Sequence, residues 1–214
     1  MHLENIRSNL FAKIISILFH PLLMPSYALI IIFNSGTHYS YLPAQAQKII
    51  YILVFLSTFL IPISIIPFLL QLKLISAFQL KDRKDRIIPL FITAISYYFS
   101  FYLLNRLPFH VPQFIKVLVL ASAILILINL LINLKWKISA HLIGIGGLLA
   151  LIFIFSIIYY ANLLYVLVLI TVVSGITAYA RLELNAHNPK QIYWGFLLGF
   201  VGMLAIIYFS LIWA

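Results

Sequence analysis

Seven apolar segments constrain this chain more than any other feature. They cover roughly residues 11–33, 48–73, 88–105, 114–134, 141–160, 162–180 and 193–213. About 20 such residues carry a helix through the hydrocarbon core of a bilayer. With 64% hydrophobic and only 8% charged residues, the chain has too little polar surface for a water-soluble domain. The pattern predicts an all-α, polytopic transmembrane bundle of six to seven spans. It forms a single integral membrane domain over residues 1–214, without a separate soluble domain, repeat or low-complexity linker.

Prolines set the irregularities. Pro21 and Pro25 fall near the middle of the first segment, where each removes a helical hydrogen bond. That segment is either one kinked span or an interfacial helix followed by a short span. Pro62 and Pro67 bend the second segment, and neighbouring groups must satisfy the carbonyls they free. The first ten residues show no small-residue cleavage pattern, so the N-terminus is expected to be retained. The chain has no cysteine, which excludes disulfides, thiolate catalysis and cysteine-based metal sites.

The net charge of +10, from 14 Lys+Arg against 4 Asp+Glu, reads in a membrane protein as topology signals and affinity for anionic headgroups. A nucleic-acid partner would need a water-exposed basic face, and no segment is large enough to make one. Seven crossings put Arg7, Lys13, Lys73, Lys81, Arg83, Lys84, Arg86, Lys135, Lys137, Arg181 and Lys190 on one side. Only Lys48, Arg106 and Lys116 fall on the other. This bias predicts that the first side is cytoplasmic. The same count brings three polar clusters to one end of the bundle: "KDRKDRIIP", "KWKISAH" and "ARLELNAHNPKQ".

Each cluster has a plain reading as topology anchors, snorkelling lysines, an N-cap serine and interfacial polar groups. Each also has a chemical one. Arg83 and Arg86, three apart, are placed to clamp a tetrahedral oxyanion, with Lys84 beside them. Ser139 and His141 open an apolar helix whose N-terminus attracts anions, and Gly144, Gly146 and Gly147 allow close helix approach. Arg181, His187 and Gln191 surround Pro189, where a turn or a new helix start is expected. The Gln191 carbonyl is then placed to accept a hydrogen bond from His187 and fix its tautomer. Together the clusters hold the groups for phosphoryl transfer through a phosphohistidine: one imidazole attacks, a second protonates the leaving oxygen, and cations stabilise the transition state.

Other polar residues read as structural. His20, beside Pro21, satisfies a freed carbonyl or lines a lipid entrance, the structural role being favoured. Asn129 and Asn133, four apart, join helices by hydrogen bonds. Tyr97, Tyr98, Tyr159 and Tyr160 read as interfacial or packing aromatics. His38 and His110 lie in connections at the opposite end.

Over roughly residues 80–200 the chain resembles the type 2 phosphatidic acid phosphatase superfamily, the membrane lipid phosphate phosphatases. "ARLELNAHNPKQIYWGFLLG" follows the family's third motif, S-R-x5-H-x3-D, at Arg181 and His187, with Gly195 and Gly199 on the helix that follows. It departs at Ala180 and Gln191, where the family has Ser and Asp. "ISAH" keeps Ser139 and His141 of the second motif, P-S-G-H, with Ile138 and Ala140 in place of Pro and Gly. "KDRKDRIIP" follows the first motif, K-x6-R-P, loosely, through Arg86. The resemblance implies that His187 is the nucleophile, His141 the general acid, and Arg181, Arg86 and Ser139 phosphate ligands, with Arg83 or Lys84 a further one. Gln191 takes the place of the aspartate that orients the nucleophile.

The resemblance also implies a metal-independent, cofactor-free membrane phosphatase with a phosphorylated lipid as partner: phosphatidate, phosphatidylglycerophosphate or a polyprenyl diphosphate. A bacterial inner membrane is the expected location. Many bacterial members of that family present their site outside the cytoplasm, whereas the charge count here leans inward. Two other readings stay open. One is a catalytically impaired lipid-phosphate binder or transporter on the same scaffold. The other is a small transporter or assembly subunit unrelated to phosphate.

Overall fold

The computed structural model describes the backbone of residues 2–78, 80 and 82–212, and the side chains of residues 9–78, 80 and 82–210. Lys81 and the side chain of Arg7, both counted above for topology, lie outside the described residues. The described chain is helical, with α1 (His2–Leu18), α2 (Met24–Phe33), α3 (Ala44–Phe55), α4 (Ile61–Gln71), α5 (Ile87–Arg106), α6 (Gln113–Asn133), α7 (Ala140–Ile158), α8 (Leu164–Glu183) and α9 (Pro189–Ile212). Among the described residues, seven helical stretches are long and apolar enough to cross a membrane. This is an integral membrane helical bundle: in hydrocarbon a helix satisfies its own backbone polar groups. Large apolar side chains such as Phe68, Phe91, Val168 and Phe209 face outward.

The first segment breaks at Phe19 and His20, and a short 3-10 turn over Pro21–Leu23 leads into α2. His20 sits beside His141 at one end of the bundle. Tyr39, after α2, donates from its hydroxyl to that of Tyr159 at the other end, at 2.8 Å. The chain from His20 to Tyr39 therefore runs the length of the bundle, and α1 precedes it as a separate helix against α8. The first segment is thus two helices joined by a break, within one apolar stretch over Asn9–Phe33.

The second segment shows how proline is accommodated. A π turn over Leu56–Leu60 joins α3 to α4 immediately before Pro62. In that wider register Pro62 has no N–H for the carbonyl five residues back, that of Ser57. The hydroxyl of Ser96 on α5 donates to this carbonyl instead, so the defect becomes an inter-helix tie.

The closest helix pair is α7 with α9. A Cβ on Gly199 would collide with the carbonyl oxygen of Ile143, and one on Gly195 would lie 2.8 Å from that of Ser139. Glycine is required there because the backbones touch, as in small-residue contacts between membrane helices. The backbone N–H of Ser139 also donates to the carbonyl of Gln191 at 3.3 Å. These contacts hold the start of α7 level with the start of α9.

The basic connections meet at this same end. Arg83 donates to the carbonyl of Lys135. Asn133 Nδ2 donates to the carbonyl of Arg83 at 2.9 Å, and an Arg86 guanidinium nitrogen to that of Ile138 at 3.3 Å. Asn133 thus ties α6 to the connection before α5. At the opposite end the rings of Tyr39, Phe114, Phe155 and Tyr159 pack together, and His38 lies on Tyr159.

Gly199→Ala is expected to force α7 and α9 apart at a cost of about 1–3 kcal/mol, the usual penalty for overpacking. A thermal-unfolding midpoint in detergent lower by several degrees than wild type checks this. An unchanged midpoint contradicts the close contact.

Candidate functional site

His187 is held between two helix-terminal motifs. At the end of α8, Asn185 adopts φ +49°, a left-handed conformation that asparagine tolerates better than most residues. The Ala186 N–H reaches back to the carbonyl of Arg181 at 3.2 Å, and the Asn185 N–H to that of Leu182 at 2.8 Å. This pair of bonds is a Schellman stop. At the start of α9, Asn188 Oδ1 accepts from the Gln191 N–H at 3.0 Å, and Gln191 Oε1 accepts from the Asn188 N–H at 3.4 Å. The two form a reciprocal capping box, with Pro189 at the first helical position. "ELNAHNPKQ" is therefore one helix stop and one helix start, with His187 fixed between them.

Gln191 Oε1 also lies 2.9 Å from His187 Nδ1. An oxygen already accepting from a backbone N–H cannot donate, so Nδ1 carries the proton and Nε2 holds the lone pair. Burial is the main force on this imidazole. The Gln191 bond opposes it, and the fields of Arg86, Arg181 and Lys137 reinforce it, so its pKa is pushed down to about 3. At neutral pH His187 is an uncharged base.

A cavity of about 550 Å³ opens beside it. Arg86, Arg181, His141, His187 and His20 line its polar part. Residues such as Ile63, Ile66, Leu90, Leu118 and Met203 line its apolar part, and among the described residues no aspartate or glutamate lines it. Asp85 is turned elsewhere, accepting from the backbone N–H of Ser76 at 3.0 Å and from the Ser76 hydroxyl. The Arg181 guanidinium donates to Ser16 Oγ at 3.2 Å, and its Nε is buried with no protein acceptor among the described residues. Burying an unpaired guanidinium donor is costly. Two guanidiniums in a cavity with no carboxylate among its described lining residues favour an anionic ligand. No group of three or more potential metal-ligating side chains occurs among the described residues.

The structure gathers some of the sequence-predicted residues and not others. His187, His141, Arg181 and Arg86 line one cavity. Gln191 stands behind His187, bonded to it. Arg83 and Lys84 are exposed and do not line the cavity. Arg83 donates to the carbonyl of Lys135 and stays off the cavity wall, so the expected Arg83–Arg86 clamp is not formed; Arg86 donates to the carbonyls of Leu80 and Ile138 and still lines the cavity. Ser139 also lies off the cavity wall. It precedes α7 as the N-cap, but its hydroxyl makes no cap bond and is buried beneath Gly195 of α9 with no partner among the described residues. The close α7–α9 contact turns this serine away from the cavity.

Sequence reasoning missed Ser16 and favoured a structural role for His20, which lines the cavity. Ser16 Oγ accepts from Arg181, while the Ser16 carbonyl lies 3.1 Å from His141 Nε2. One residue therefore positions two members of the site, and the carbonyl fixes the proton of neutral His141 on Nε2. Asn129 and Tyr97 also line the cavity. Tyr97 is buried rather than interfacial, and its hydroxyl points to the Leu22 carbonyl at 3.5 Å. The sequence signal for Ser16 is its polarity within an apolar segment, and for His20 its polarity and its place beside Pro21.

No family model, curated protein or solved structure matches this chain.

The depressed His187 pKa has a defined pH consequence. Between the ordinary histidine value of 6.5 and about 3, the unfolded chain binds a proton that the folded chain refuses. This group's contribution to stability is therefore intact above pH 6.5 and lost progressively as pH falls towards 3. The apparent melting midpoint should fall across that window, and less steeply in His187→Asn. Nitrogen-15 spectra of histidine-labelled protein should show a neutral Nδ1–H imidazole at pH 5; a charged His187 there contradicts the assignment.

Proposed function

We propose that the protein is a membrane phosphatase that hydrolyses a lipid phosphate or diphosphate through a phosphohistidine, as a divergent relative of the type 2 phosphatidic acid phosphatases. One observation carries the reading: a cavity lined by no carboxylate among the described residues brings together two guanidiniums, a neutral, oriented imidazole and many apolar side chains. That combination suits an amphiphile with a tetrahedral anionic head and a hydrocarbon tail. The reading places the chain in a bacterial inner membrane, with the basic end facing the cytoplasm.

The chemistry follows from the tautomers. His187 Nε2 attacks phosphorus while Arg86 and Arg181 hold the non-bridging oxygens. As the new P–N bond forms, the P–O bond to the lipid breaks and its electron pair leaves with the oxygen. His141 Nε2 is occupied by the Ser16 carbonyl, so Nδ1 is its proton-exchanging atom. In its imidazolium form His141 delivers that proton to the leaving oxygen. Water then attacks the phosphohistidine, neutral His141 accepts the water proton at Nδ1, the P–N bond breaks, and inorganic phosphate departs. No step draws on a cofactor.

Phosphate release is the direct measurement, on detergent-purified protein with EDTA and separate samples of phosphatidate, phosphatidylglycerophosphate and a polyprenyl diphosphate. Wild type should release phosphate from at least one. His187→Ala should lose about three orders of magnitude or more, as when a nucleophile is removed, and Arg181→Ala about two.

Gln191 favours a second reading, a lipid-phosphate binder on the same scaffold. Its amide orients His187 but supplies no negative charge, and loss of the carboxylate from a His–Asp pair costs about 10⁴ in rate elsewhere. Substrates that bind through Arg181 yet stay intact in every sample establish the binder. Gln191→Glu keeps the capping box and adds the charge. It should raise the His187 pKa from about 3 and increase any phosphate release, read by nitrogen-15 titration and by rate. An unmoved titration contradicts the orienting contact.

A further inference from the structure

The anion site draws on one more segment than the three clusters. His20 stands at the break between α1 and α2, lines the same cavity as Arg86, Arg181, His141 and His187, and meets His141 edge-on with ring centroids 5.4 Å apart. Its Nδ1 accepts from the Leu22 N–H at 3.4 Å, capping the turn that starts at Pro21. That bond leaves the proton of the neutral ring on Nε2. The neighbouring His141 has the same tautomer but gives its Nε2–H to the Ser16 carbonyl. We infer that His20 is a further substrate-binding residue, which donates its Nε2–H to an oxygen of the bound phosphate while its Nδ1 holds the helix break in place. The inference rests on the reading of the cavity as a phosphate site. It also gives the break at Pro21 a function: an unbroken helix would carry this ring in a different direction.

The two nitrogens are separable by substitution. His20→Asn puts an amide oxygen near the position of Nδ1, keeping the cap but removing the distal donor. His20→Gln reaches the Nε2 position with an N–H. The full-length protein in detergent micelles is titrated calorimetrically with inorganic phosphate and, separately, with dihexanoyl phosphatidate. His20→Asn should weaken both about tenfold, the scale of a hydrogen bond to a charged group, with its melting midpoint unchanged. His20→Gln should stay within about threefold of wild type. A loss confined to the lipid sample, equal losses in the two variants, or wild-type affinity in His20→Asn overturns the assignment. Arg181→Ala separates the two levels of the argument. If wild type binds neither probe, the phosphate site itself is wrong. If Arg181→Ala abolishes binding while His20→Asn leaves it intact, only the role of His20 is wrong.

Discussion

The backbone contact between α7 and α9 is the constraint on which the site depends. Glycine at 195 and 199 lets the two helices meet carbonyl to Cα, and dispersion over so close an interface provides packing in a membrane, where apolar burial between helices provides little. The contact fixes the axial register as well as the distance. His141 in the first turn of α7 and His187 just before α9 therefore reach the same cavity. A larger residue at either glycine would move both imidazoles relative to each other.

Charge arrangement follows from that register. Arg181 arrives from the last turn of α8, and Arg86 from the turn before α5. The acidic residue nearest to Arg86 in sequence, Asp85, bonds to Ser76, so it does not line the cavity that Arg86 enters. Ser16, before the break in the first segment, holds Arg181 by its side chain and His141 by its carbonyl. The result is one cavity whose wall carries both guanidiniums and apolar side chains.

Gln191 joins local folding to chemistry. Its side chain caps α9 and orients His187 at once. Glutamine satisfies the cap as well as glutamate does, but it leaves His187 without a compensating charge in a buried, positive environment. The uncharged, oriented imidazole is a consequence of the cap, the burial and the arginines together.

The sequence by itself determined the helical class, because long apolar runs of nearly uniform length admit little else in a bilayer. It also determined that the three basic connections share one end, because even numbers of crossings separate them. The helix start at Pro189 and the bond between His187 and Gln191 were legible too, since capping is local and depends on residues three and four apart. Tertiary structure decided which side chains face the cavity. Arg83 and Arg86 stand three apart in one basic run, but Arg83 turns to the carbonyl of Lys135 while Arg86 lines the pocket. Ser139 was displaced by close packing against α9, and Ser16 and His20 were recruited from a segment with no motif. Each of these outcomes turns on contacts between helices far apart in the chain, and no local pattern encodes where a distant carbonyl or ring will lie.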